Sequence, residues 1–165
     1  MRASVLILGM LLGTAPALAF DNEPIGFRGI NWGTPIEGAI ANLTLEQTKG
    51  DLTRYSRTGD QMTVGEAKLQ FVGYEFYKGL FKAGTMISEP GYTQEMIATF
   101  RAQFGPGNQL NYLIQDFEWF GPQTTILLAC SSIRRTCVAS MSSAVLDAED
   151  RADRAKAAAG AGKDF

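Results

Sequence analysis

The chain contains no histidine. That absence removes His-based general acid–base catalysis, Ser-His-Asp and Cys-His nucleophile arrangements, and the usual zinc-ligand sets. Cysteine is almost as scarce. Cys130 and Cys137 are the only two, spaced C-x6-C rather than the C-x-x-C of a thioredoxin-like redox pair. Basic charge is nowhere concentrated and the formal net charge is −2, so the electrostatic footprint of a nucleic-acid binder is missing. After the first nineteen residues no apolar run is long enough to span a membrane. Carboxylate pairs, lysine nucleophiles and calcium sites remain open as chemistry, and no cofactor is expected.

What is present begins with a leader. Arg2 gives a short positive region, Val5 to Leu12 an apolar stretch too short to cross a bilayer, and Pro16 breaks it before the small-x-small site Ala17-Leu18-Ala19. This is the order of a secretory signal peptide over residues 1–19, with Phe20 as the first mature residue, and the expected location is periplasmic or secreted. No Cys follows the cleavage site, so no lipid anchor is expected. An oxidising compartment and an even cysteine count point to a Cys130–Cys137 disulfide stapling one hairpin.

Residues 20–146 read as one α+β domain. Thr34-Pro35-Ile36-Glu37 carries a capping residue, a first-turn proline and a capping-box glutamate, and Ile36, Ala39, Ile40 and Leu43 share a helical face, which predicts a helix ending near Leu45. Leu52 to Val64 is polar and predicts one or two short edge strands around a Gly59-Asp60 turn. Residues 66–88 predict a hairpin turning at Lys78-Gly79, with Tyr77 opposite Leu80, Phe76 opposite Phe81, Glu75 opposite Lys82 and Gly73 opposite Gly84. Tyr92, Met96, Ile97, Phe100 and Phe104 recur at helical spacing, and Gly105-Pro106-Gly107 stops that helix. Strands follow at about Tyr112 to Phe120, Thr124 to Cys130 and Cys137 to Ser142. Residues 147–165 form a charged, Ala-rich helix with a disordered end, supported by Asp147–Arg151 and Asp150–Arg154 pairs. The expected architecture is a single antiparallel sheet with helices packed on one face, and the element order reads as a loose α-β-meander duplication.

Four constellations bear on function. Gly160-Ala161-Gly162-Lys163 lacks the first glycine and the Ser/Thr of a phosphate loop. Asp147, Glu149, Asp150 and Asp153 lack the spacing and central glycine of a calcium loop and suit the N-terminal half of a helix instead. Asp116 and Glu118 alternate on one strand, as a glycosidase-like acid and base or as a solvated face. Opposed Gly73 and Gly84, flanked by Phe71, Met86, Tyr77 and Leu80, leave either a shallow apolar binding groove or a gap that another segment fills. Trp32 and Trp119 read as core anchors.

The segment Gly26-Phe27-Arg28-Gly29-Ile30-Asn31-Trp32-Gly33-Thr34 resembles the F-R-G-x-x-W-G-T opening of a family of small exported bacterial proteins of unknown function. The aromatic hairpin from Phe71 to Ile87, the Phe104-Gly105-Pro106 turn and Trp119 extend that resemblance over most of the mature chain. More distantly, Gly91 to Pro106 is similar to the helix motif of the β-lactamase-inhibitor-like fold, which includes a small lipoprotein of outer-membrane barrel assembly. This chain departs from it in lacking the lipid-bearing Cys and in a helix about one turn longer. The resemblance implies domains that act by binding other proteins. The expectation is therefore an exported, non-enzymatic binding or accessory module acting on a protein partner in the cell envelope. The alternatives are a small carboxylate-based hydrolase and a carrier of an apolar ligand.

Overall fold

The computed structural model describes residues 19–39, 41–109 and 111–161. Residues 1–18, Ile40, Leu110 and the stretch from Gly162 to Phe165 lie outside the described residues, and with them all but the last residue of the expected signal peptide and half of the phosphate-loop-like run. Lys78 and Gly79 adopt φ of 50° and 78°. Two positive values in succession make the tight turn whose twist matches paired strands, and glycine takes the second without strain. The turn joins β6 (Ala67–Tyr77) to β7 (Leu80–Ser88), the longest hairpin among the described residues. Before it come β1 (Gly26–Phe27), β2 (Ile30–Asn31), β3 (Leu43–Lys49), β4 (Leu52–Arg57) and β5 (Thr63–Val64). After it come α1 (Thr93–Phe104), β8 (Asp116–Phe120), β9 (Thr124–Ser131), β10 (Thr136–Ser143) and α2 (Ala144–Ala161).

The fold is α+β, and every strand pair among the described residues is antiparallel. It is not a single sheet. An eight-stranded sheet runs β3-β4-β6-β7-β10-β9-β8 with β5 added on β6, and β1 and β2 form a separate two-stranded ribbon. The two meanders meet where β7 pairs with β10.

The hairpin register matches the expected one at its turn and departs from it beyond. Tyr77 faces Leu80 and Phe76 faces Phe81, but a bulge then puts Glu75 opposite Ala83, Tyr74 opposite Gly84 and Gly73 opposite Thr85. The extra residue is Lys82. A bulge inserts one residue on one strand and changes which face the following residues occupy. The inward face of β7 is therefore Phe81, Gly84 and Met86. The bulge also turns Lys82 toward α2, where its Nζ lies 2.7 Å from Asp150, 3.2 Å from Asp147 and 3.5 Å from Glu75.

The expected helix over 34–45 does not form. Only one 3₁₀ turn (Ile36–Gly38) is present, flanked by extended Pro35 (ψ 147°) and Ala39 (ψ 169°). The local capping signals lose to pairing with the sheet: Gly33 N donates to Phe81 O, Phe81 N to Thr34 O and Ile36 N to Gly79 O, each 2.9 Å. Leu43 onward is edge strand β3, paired with β4. With no helix before the first meander, the duplicated α-β-meander is absent as well.

The helices pack on opposite faces. Met96, Ile97, Phe100 and Phe104 of α1 join Tyr74, Phe76, Met86, Trp119, Ile126 and Leu128 in the core on one face. The carboxylates of α2 meet Lys82, Tyr77 and Ser142 on the other. Asp150–Arg154 forms as expected at 2.6 Å, whereas Asp147 turns to Lys82 and Ser142 rather than to Arg151. The two cysteines face each other in the β9–β10 register and are bonded, S–S 2.02 Å.

The Lys82 cluster sets a pH dependence. Burial disfavours the charged Asp150, but hydrogen bonds from Lys82 and Arg154 outweigh it and hold the carboxyl below its ordinary value. Burial likewise disfavours the Lys82 ammonium, and Asp150, Asp147 and Glu75 together outweigh it and raise its pKa. The Asp150 contribution is thus present above the unfolded carboxyl pKa of about 3.9 and is lost as pH falls through the lower folded value. That of Lys82 is lost only as pH rises past about 10.4 and through the raised folded value. Lys82→Met is expected to cost about 3 kcal/mol at neutral pH by leaving buried carboxylates without their cation. The gap between wild type and variant, read from urea melts, should narrow as pH falls below about 4.

A candidate binding cleft

The segment before β1 has little regular structure, yet side chains pin it across the sheet. Phe20 meets Phe104 edge-on with centroids 5.9 Å apart. Glu23 Oε1 accepts the backbone N–H groups of Gln123 and Thr124 at 2.7 Å each. Thr124, fully buried, donates its hydroxyl to Pro24 O and accepts from Trp32 Nε1 at 2.7 Å. Asn22 Nδ2 reaches Gln103 O of α1 at 2.7 Å. Residues 20–25 therefore form a strap between the β8–β9 turn and α1.

The β1–β2 ribbon follows and turns at Arg28 and Gly29, with φ of 48° and 83°. It lays Phe27 over Gly84, where a Cβ would collide with the phenyl ring. Phe27 also meets Tyr74 edge-on at 5.6 Å. The turn aims Arg28 at Asp60, with Nη1 to Oδ1 at 2.9 Å, and the guanidinium also donates to the carbonyls of Gln61 and Thr63. Asp60, whose side chain is only 6% exposed, accepts the Tyr74 hydroxyl at 2.6 Å on its other oxygen. Burial first, then the Asp60 bond and charge, push the Tyr74 phenol up to about 12, so it stays a neutral donor. The resembling segment F-R-G-x-x-W-G-T thus consists of parts with identifiable packing tasks. Phe27 fills, Arg28 clamps, Trp32 stacks on Phe81 at 5.3 Å and Gly33 pairs with β7.

Between strap and α1 lies a cleft of about 630 Å³. Phe27, Val64, Met86, Phe100, Phe104 and Met141 are among its apolar lining, with Arg28 as its one charged member and Asn22 and Gln103 as amide-bearing members. No carboxylate lines it, and the Arg28 charge is already matched by Asp60. Its size lies within the range of small-ligand sites. Two thioethers give it adaptable packing. It can take up apolar groups and orient them by one or two amide hydrogen bonds.

The residues expected to form a groove around a glycine pair do not line one surface. The bulge at Lys82 separates Gly73 from Gly84 in register. Gly84 and Met86 face inward, Gly84 beneath Phe27 and Met86 in the cleft. Gly73 is covered by the ring of Phe71, its own strand neighbour. Tyr77 donates its hydroxyl to Asp153 of α2, and Leu80 bridges to Pro35. Of those six residues only Met86 belongs to the cleft.

Asp116 and Glu118 share a hollow of about 220 Å³ with Asn111 and Ile114, and Asp116 accepts Cys130 N at 3.3 Å. The acidic cluster on α2 meets cations at every member: Asp147 and Asp150 meet Lys82, and Glu149 and Asp153 meet Lys78. Among the described residues no group of three carboxylate or cysteine side chains converges on a metal position. Trp119 is buried and donates to Gly105 O at 3.2 Å, while Trp32 packs at the margin of the core.

No family model matches this chain, and no curated protein or solved structure matches it. The cleft had no local signature. Phe100 and Phe104 are visible as one helix stripe, but nothing near Phe27 indicates that it lies on a glycine of a distant strand.

Asp60→Ala should test the clamp. It leaves the Arg28 guanidinium without its carboxylate, at an expected cost of about 3 kcal/mol. It should also bring the Tyr74 phenol down from about 12 while burial keeps it above an ordinary tyrosine. Tyrosinate absorbance during an alkaline titration reads that shift.

Proposed function

We propose that this chain is an exported, non-enzymatic binding module that takes an apolar segment of a protein partner in the cell envelope into the cleft between strap and α1. The observation that carries this reading is the cleft itself: about 630 Å³, mainly apolar in its lining and free of carboxylates. A lining of that kind stabilises an apolar guest by burial and offers no acid or base to transform it. Export is supported by the leader pattern and by the Cys130–Cys137 bridge, which persists in oxidising compartments. No helix among the described residues is long and apolar enough to cross a membrane. The carboxylate pair at Asp116 and Glu118 opens on a hollow about one third of the cleft's volume, which gives a hydrolase reading less room for a substrate.

Ala102 lines the cleft from the exposed side of α1, so Ala102→Trp should block it without disturbing the core. Native mass spectrometry of protein recovered from periplasmic extract is expected to show a bound protein with wild type and none with Ala102→Trp, at equal melting temperature. A small apolar molecule lost in the same variant would instead make the cleft a carrier site. Bound species retained by Ala102→Trp would contradict the cleft as the site.

A further inference from the structure

The three most exposed large apolar side chains among the described residues, and a fourth beside them, stand on two turns. Tyr112, Leu113 and Ile114 are 86%, 75% and 47% exposed in the connection from α1 to β8, and Ile133 is 93% exposed in the β9–β10 turn. Both turns lie at the same end of the sheet. Cys130 N donates to Gln115 O at 3.1 Å, which sets the end of the first loop beside the base of the second.

Neither turn is loosely held. Asn111 Oδ1 accepts Leu113 N at 2.9 Å, Asn111 O accepts Ile114 N at 3.0 Å, and Gln109 Nε2 donates to Ile114 O at 2.7 Å. The other turn is closed at its base by the disulfide and across its tip by Arg134 N donating to Ser131 Oγ at 3.1 Å. Built turns therefore display these apolar groups outward, where water contact costs free energy and a second phase would relieve it.

Charge indicates which phase. From Gly105 to Gln115 and from Ser131 to Thr136 there is no Asp or Glu, in a chain with 17 acidic residues. Arg134 and Arg135 follow Ile133, both exposed and neither in an ion pair among the described residues. The acids that border this end are Asp116 and Glu118, which share the hollow with Asn111 and Ile114, Asp116 being bonded to Cys130 N, and Glu89, in the connection that meets Arg135 through Gly91 N. Narrow apolar tips, an amphipathic tyrosine and adjacent arginines fit an interface with apolar depth and anionic headgroups.

We propose that this end of the sheet seats the protein on an anionic phospholipid bilayer. Tyr112, Leu113, Ile114 and Ile133 enter the headgroup boundary, and Arg134 and Arg135 meet lipid phosphates. The site is separate from the cleft, and the cleft reading does not depend on it.

Co-sedimentation of the purified protein with phosphatidylserine–phosphatidylcholine vesicles, set against pure phosphatidylcholine, tests the proposal. Binding is expected to the anionic vesicles and to weaken with salt. Leu113→Ser/Ile133→Ser and, separately, Arg134→Gln/Arg135→Gln should each lower it about tenfold or more. Val145→Ser, an exposed apolar position on α2, should leave it unchanged. Thermal melts of each variant confirm folding, and either double variant alone suffices as the test. No binding to anionic vesicles, or equal binding by folded double variants, would overturn the proposal. A protein partner lost with Leu113→Ser/Ile133→Ser in the absence of any vesicle binding would overturn it too.

Discussion

Phe27 lies on Gly84, and the arrangement of the inner face depends on that contact. A glycine in a central strand leaves a bare patch of backbone, and the phenyl ring fills it in place of a local side chain. Once Phe27 is seated, the next residue has only a short reach to Asp60, and Arg28 completes a clamp that also holds the Tyr74 hydroxyl. The clamp holds the turn of the β1–β2 ribbon, and Thr124, through Pro24 and Trp32, ties down its two open ends. The strap of residues 20–25 leads into this ribbon, and the two together form one wall of the cleft. The site therefore depends on a contact between two residues far apart in sequence, with a ribbon of two-residue strands as the bracket.

The outer face is organised by charge. Lys82 is buried among Asp150, Asp147 and Glu75, and the bulge that turns it there also sets the face alternation of the rest of β7. Without that bulge, Gly84 would not face inward to receive Phe27. The two faces are thus coupled through one irregular residue. A buried cluster of this kind contributes little net stability, because desolvation offsets most of the attraction, but losing one member is costly. It therefore acts more on register and helix placement than on overall stability.

Features with local causes were legible in the sequence. The Lys78-Gly79 turn, the α1 stripe ending at Gly105, the Asp150–Arg154 pair and the facing cysteines each follow from residues within one turn or one hairpin. Features decided at long range were not. Thr34 to Glu37 has good helix-start chemistry, yet backbone pairing with β7 overrides it. The register beyond Phe76 depends on Lys82 seeking Asp150, 68 residues away. The glycines were visible as missing side chains, but what fills each gap, Phe27 over Gly84 and Phe71 over Gly73, is a fact of packing.

The most direct test of this account is a double-mutant cycle on Phe27 and Gly84, measured by denaturant unfolding. Phe27→Ala alone should cost about 3–5 kcal/mol, and Gly84→Val alone roughly 1–3 kcal/mol from overpacking. If the ring occupies the space above the glycine, Gly84→Val should cost nothing or stabilise once Phe27 is alanine, giving a coupling of about 1–3 kcal/mol. Additive costs would mean that the two residues do not share that space, and would contradict the seating contact on which the strap and the cleft depend.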